Sequence, residues 1–243
     1  MLKEAIEKIV ELAGVKVVRD NDGNVYTDDE VYQLRPYLDR PEPRRLTSLD
    51  ALVKLVRTEA VAFVGSAPLY ITVPAYNKVE CFTTINIEQR NTRDVLYTSE
   101  AVDVPGWNPE TKLPFEQASI ALQTRFQTTP DRDYALRILS QITTGGKVTY
   151  NDNGIATSII TQKGVALQGT EAIKPLVKLK PYRTFQEVDQ PESLFLIRID
   201  ERGISFIEAD GGMWKLDARS TVKAFLEDAL CDLVETDRVV IAL

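Results

Sequence analysis

The chain has 243 residues, 44% hydrophobic and 27% charged, with a formal net charge of −7. That length supports one large domain or two small ones around a real core, and no run approaches the roughly 18 apolar residues of a membrane helix. The complete absence of histidine removes Ser-His-Asp and Cys-His nucleophilic catalysis and His-based zinc sites, while the acidic balance disfavours broad binding to nucleic acid, which needs Lys and Arg against phosphates.

In chain order, residues 2–13 read as a helix, with Leu2, Ile6, Ile9, Val10 and Ala13 on one face and Gly14 as its stop. Its mixed acidic and basic character is unlike a signal peptide. Val15–Val18 and Val25–Thr27 flank Asn21-Asp-Gly-Asn24, a hairpin signal. Residues 36–45, with Pro36, Pro41 and Pro43, read as a linker or extended arm. Thr47 or Ser48 caps a second helix, with Asp50 in its first turn and Leu49, Leu52, Val53 and Val56 as its apolar stripe.

A β-rich block follows: Leu69–Val73, Lys78–Ile87 and Asp94–Glu100 are dense in Val, Ile, Thr, Tyr and Phe. The loop Val102–Lys112 holds Pro105-Gly106-Trp107. Helices are expected over Pro114–Phe126 and Pro130–Ile142, the second capped by Thr129. Lys147–Tyr150 and Ile155–Lys163 flank Asn151-Asp-Asn-Gly154, a strong hairpin signal. Val177–Leu216 supplies at least three more strands, with Trp214 at a strand end. A closing helix begins at Asp217 or Ser220, burying Val222, Phe225, Leu226, Ala229 and Leu233, and Val239–Ala242 is a last strand. The order predicts an α+β fold of mostly antiparallel, hairpin-linked strands with about five helices. The chain reads as a single domain, 1–243, with a candidate subdivision into 1–110 and 111–243. Cys81 and Cys231 sit in apolar neighbourhoods and read as reduced, buried thiols.

Lys178, Lys180, Tyr182, Arg183, Phe185 and Arg198 form the sharpest cluster. On a strand Lys178, Lys180 and Tyr182 share a face. Arg183 can clasp a phosphate or carboxylate with two prongs, and Tyr182 or Phe185 can stack on a base. The competing reading is a solvated strand face with Arg183 paired to Glu187 or Asp189. The acids Glu187, Asp189, Glu192, Glu208 and Asp210 offer a carboxylate or divalent-ion site, against a reading in which Asp210 merely supports the Gly211-Gly212 turn. Gly145-Gly146-Lys147 and Gly164–Gly169 lack phosphate-loop spacing. Trp107 is a partner-contact candidate on a loop, or else a plug folded over the core.

Taken together, Leu113–Glu116, Ile120–Phe126, Asp131–Tyr134, Val165–Leu167, Pro181–Ser193 and Phe206–Lys215 resemble the YfdQ-like family of uncharacterised phage and prophage proteins, over residues 110–235. The resemblance brings no catalytic residues. It implies a bacterial virus or integrated prophage and expression in the bacterial host cytoplasm, near genes of DNA metabolism or accessory functions.

The expectation is therefore a non-enzymatic, cofactor-free, homo-oligomeric binding protein without membrane attachment. Its concrete form is a counter-defence protein that sequesters an anionic nucleotide-like signal on Lys180, Tyr182, Arg183 and Arg198. The rivals are a nucleic-acid-binding accessory protein of replication or recombination, a virion or assembly component, and a carboxylate, metal-dependent hydrolase.

Overall fold

The computed structural model describes residues 17–21, 25–27, 41–86, 91–108, 111–144, 147–152, 157–163, 166–172, 174–200 and 202–243. The helix expected over 2–13 and the Gly145-Gly146 break lie outside them. The chain divides into two compact units, Met1–Pro41 and Glu42–Leu243. In the first, β1 (Val17–Arg19) pairs antiparallel with β2 (Val25–Thr27), Val18 opposite Tyr26, as the Asn-Asp-Gly turn predicts.

The second unit begins with β3 (Arg44–Leu46) and the helix Leu49–Leu55, which runs through a π turn, Val56–Ala60, into Val61–Phe63. There follow β4 (Leu69–Ala75), β5 (Lys78–Thr83) and β6 (Val95–Glu100), then the helices Phe115–Thr124 and Pro130–Thr144. Next come β7 (Lys147–Asp152), β8 (Thr157–Lys163), β9 (Ala166–Ala172), β10 (Leu176–Leu179), β11 (Ser193–Asp200) and β12 (Gly203–Glu208). The helices Trp214–Ala229 and Cys231–Glu235 and the strand β13 (Val239–Ala242) close the chain. The fold is α+β.

One sheet has the order β13-β4-β5-β6-β3, antiparallel at its centre and parallel at both edges. Its alternation is clean: Leu69, Ile71 and Val73 on β4 and Val79 and Cys81 on β5 are buried. They pack under Leu49, Leu52, Val56 and Ala60 and under Val222 and Leu226 of the Trp214–Ala229 helix. A second, antiparallel sheet, β10-β11-β12, turns Val177, Leu179, Phe195, Ile197, Ile199, Ile204 and Phe206 toward Ala118, Leu122, Ile138 and Leu139 of the two middle helices. The strands β7-β8-β9 form a third, antiparallel sheet, with the hairpin expected around Asn151–Gly154.

Several expectations need correction. No division falls at 110, because β13 and the C-terminal helix pack on β4 in one core with Leu49 and Leu52. The end of the stretch read as a linker or extended arm is extended but not free: Arg44–Leu46 is an edge strand, with Arg45 opposite Thr98 of the parallel β6, a pairing with no local signature. The closing helix starts at Trp214, not at Asp217 or Ser220. Asp210 already holds the turn before it, accepting from the Gly212 amide at 3.0 Å. Phe225 and Leu233 are only partly buried. Cys81 is buried but Cys231 is exposed, at the start of the short helix Cys231–Glu235.

Candidate functional site

The segment 181–185 runs from one core to the other. Pro181 bridges to Phe126 of the second core, and Phe185 is buried in the first. Tyr182 and Arg183 stand at the crossing. The Tyr182 amide donates to the Arg125 carbonyl at 2.9 Å, and the Arg183 amide donates to Gln190 Oε1 at 2.9 Å. Gln190 is 2% exposed and works in both directions. Its oxygen also accepts from the Thr184 amide at 3.2 Å, and its nitrogen donates to the carbonyls of Phe185 (2.9 Å) and Val188 (3.3 Å). A buried side chain with its capacity filled this way fixes the loop around it.

Arg183 borders a cleft of about 390 Å³ lined also by Tyr76, Asn77, Trp107, Tyr182, Glu208, Trp214 and Lys215, with Ala101 and Val104–Gly106 along the loop side. The guanidinium lies over the Trp214 ring, its Cζ 3.9 Å from the centroid, and 5.8 Å from that of Phe195. Nη1 donates to Glu208 and Nη2 to Ser193 Oγ, whose hydroxyl donates in turn to Asp210 at 2.7 Å. Tyr76 meets Trp214 edge-to-face at 4.7 Å, and its carbonyl accepts from Thr184 Oγ1. Burial lowers the Arg183 pKa, against the charge and hydrogen bond of Glu208. Burial pushes Asp210 up, but the Ser193 hydroxyl, the Gly212 amide and the Arg183 charge outweigh it and leave the carboxyl below its usual range.

Of the six residues expected to face a ligand, Tyr182 and Arg183 do line the cleft. Lys178 and Lys180 do not: their ammonium groups pair with Glu192 at 3.1 Å and Asp189 at 2.7 Å. Phe185 is 1% exposed and belongs to the core, so it is not available to stack on a base. Arg198 stands opposite Ser205 on β11, and strand alternation puts it on the other face from Ser193 and Phe195. Arg183 pairs with Glu208, not with Glu187 or Asp189. Trp107 is folded back, edge-to-face on Phe126 at 4.8 Å and on Phe206 at 6.0 Å, and forms cleft wall rather than a free loop contact.

The acids do not converge. Glu187 accepts from the Leu49 amide at 2.8 Å, Asp189 and Glu192 hold the two lysines, Glu208 holds Arg183, and Asp210 holds Ser193 and the glycine turn. Among the described residues no group of three or more Asp, Glu, Cys or His is placed to hold a metal ion. No helix among them is long and apolar enough to cross a membrane. Ser220 and Lys223 stand at Ser-x-x-Lys spacing on the C-terminal helix, but Lys223 pairs with Glu227 at 3.3 Å.

Sequence reading missed Tyr76, Lys215 and Gln190 and put Glu208 in an acidic set, while Trp214 is buried yet also lines the cleft. One signal was available for Glu208. The turn after Asp200 sets the β11–β12 register, which brings Glu208 opposite Phe195, beside the sheet end where Ser193 stands. Fold and site together define an α+β protein with an aromatic-walled cleft of ligand size. Comparison with family models, with curated proteins and with solved structures gives no match.

Proposed function

We propose that the protein binds a ring-bearing anionic small molecule, of the nucleotide class, in this cleft and holds it without transforming it. The observation that carries the reading is the meeting of Tyr76, Trp107, Tyr182 and Trp214 with Arg183 and Lys215 around about 390 Å³, within the range of small-molecule sites, roughly 300–1,000 Å³. Aromatic walls take a planar ring, and a guanidinium and an ammonium take its acid group. The acids in this region are occupied one by one with hydrogen bonds and ion pairs, which supports holding over acid–base work. In the phage or prophage setting that the sequence resemblance suggests, such a protein serves as a sponge for a host nucleotide signal.

Titration with a panel of cyclic and linear nucleotides, followed by Trp fluorescence and product analysis, tests this. Saturable binding with the ligand recovered intact is expected. Replacing Tyr182 with Ala should weaken it about tenfold or more, since stacking on one ring contributes roughly 1–3 kcal/mol. Turnover of any nucleotide, or no binding across the panel, overturns it.

A second reading, nucleic-acid binding, has one observation in its favour. Tyr70 and Phe82, partners on neighbouring strands, stack at 5.9 Å on the sheet face away from the buried one, with the Arg93 guanidinium 5.2 and 5.1 Å from their centroids. That pairing of rings and a cation is what single strands stack on. Retention on single-stranded DNA at low salt, lost in Tyr70→Ala, would favour it.

A further inference from the structure

We propose that Arg183 is the anion receptor of the cleft and that Glu208 is its built-in competitor, so that the ligand's phosphoryl group binds by taking Glu208's place. The inference rests on the binding reading above and names its subsite and its regulation.

Arg183 is more enclosed than Glu208. The guanidinium is held by Ser193 on one nitrogen, by the Trp214 face at 3.9 Å and, through its backbone, by Gln190. Its side chain is 10% exposed, whereas that of Glu208 is 23% exposed. Glu208 is the last residue of β12 and lines the cleft rim. Its carboxylate regains water by swinging outward. Arg183, walled in, then keeps only the Asp210 charge, one hydroxyl away through Ser193, and an anion seated on Nη1 restores the direct partner that a buried charge needs.

The cleft wall is also short of acceptors. The buried polar atoms in its lining that have no partner among the described residues are Trp107 Nε1, Arg183 Nε and Trp214 Nε1, and all three are N–H donors. Native interiors pair most such groups. Glu208 meets the guanidinium through one oxygen on Nη1, while a guanidinium carries five N–H donors. A phosphoryl group brings three acceptor oxygens to the same place, and charge-assisted bonds of this kind are the strong ones. Lys215, in the first turn of the Trp214–Ala229 helix, adds positive charge at the rim, at the positive end of the helix dipole.

Inorganic pyrophosphate reads the subsite without engaging the ring walls. It is titrated at constant ionic strength against wild type, Glu208→Gln and Arg183→Met, followed by the fluorescence of the chain's two tryptophans. Wild type should bind weakly, Glu208→Gln about tenfold more tightly or better, and Arg183→Met not at all. If Glu208→Gln does not unfold cooperatively, Glu208→Asp, shorter by one methylene, should still bind more tightly than wild type. A folded Glu208 variant that binds pyrophosphate no better than wild type overturns the inference, even where nucleotides bind. Silence across the nucleotide panel with the pyrophosphate pattern intact overturns only the ring-binding reading.

Discussion

The Arg183 guanidinium lies over the Trp214 ring, its Cζ 3.9 Å from the centroid, although one residue sits in an irregular segment and the other opens a helix. Trp214 is 6% exposed, so the contact is desolvated, where a cation–ring attraction is strongest. Three other side chains finish the arrangement: Glu208 and Ser193 on the guanidinium nitrogens, and Tyr76 edge-to-face with the indole. The functional residue of the segment is thus placed by partners that come from four separate parts of the chain.

Gln190 positions Arg183 without touching the cleft. Replacing it with Leu leaves the amides of Arg183 and Thr184 and the carbonyls of Phe185 and Val188 without their partner. Each unsatisfied buried group costs about 1–3 kcal/mol, so Gln190→Leu should lose about 3 kcal/mol or more in urea unfolding. Gln190→Glu keeps the accepting oxygen but sets a carboxylate against two carbonyls, and it too should be less stable than wild type. A stability within about 0.5 kcal/mol of wild type for Gln190→Leu would show that the loop is held elsewhere.

Gly203 controls the loop that carries Trp107. It has φ +144, and a Cβ there would sit 2.1 Å from the Leu113 carbonyl oxygen. Leu113 and Ile204 exchange two backbone hydrogen bonds at 2.9 Å, closing the far end of the loop. Gly203→Ala should break this pair and cost about 3 kcal/mol, roughly 6–12 °C in thermal midpoint for a chain this size. Trp107 emission should shift to the red as the loop lifts, best read in a Trp214→Phe background.

Much of the fold was legible because its signals are local. Ser48 caps its helix through the Ala51 amide at 3.2 Å and Thr129 caps Pro130–Thr144 through the Arg132 amide at 3.1 Å, both as the residue types predict. The alternation on β4 and β5 and the hairpin turns fixed most strands. The edge strand Arg44–Leu46 was not legible, since its partner Tyr97–Ser99 lies far along the chain and its two arginines read as solvent-facing. The site was half legible. Tyr182 and Arg183 stood out by residue type, but stacking and ion pairing cannot distinguish Arg183 from Lys178 or Arg198 without the register. Phe185 was misplaced for the same reason: an aromatic beside a cationic cluster reads alike as a stacking platform or as core. Asp217 and Ser220 are the usual capping types and so leave Trp214 at a strand end by sequence, whereas the turn at Asp210 precedes a helix that starts at Trp214.

The two thiols should behave differently. Burial pushes the Cys81 thiol up to about 12, so it holds almost no thiolate near neutrality, and Cys231 is exposed. A disulfide reagent at pH 8 should therefore titrate one thiol quickly in the native protein and both in urea. Mass analysis should place the fast adduct on Cys231. Prompt labelling of Cys81 in the native state would mean that the sheet core opens on that timescale.

Acid should destabilise the second unit in part through the cleft. The Asp210 carboxyl is held below its usual range: burial alone would raise it, and the Ser193 hydroxyl, the Gly212 amide and Arg183 more than reverse that. Asp131 is lowered in the same way, with the Lys178 amide and Lys174 acting against burial. A carboxyl whose folded value lies below its unfolded one contributes stability that is fully present above the unfolded value, about 3.9 for aspartate. That contribution is lost as pH falls from there through the depressed folded value. Urea midpoints should thus be flat in this respect above about pH 5 and fall steeply below about pH 4. Asp210→Asn should be less stable at neutral pH, since Ser193 and Arg183 lose a charged partner, and its midpoint should fall less between pH 5 and 3 than that of wild type. Parallel profiles for the two proteins would remove Asp210 from the acid response and leave Asp131 and Asp232, which Arg57 holds low, to account for it.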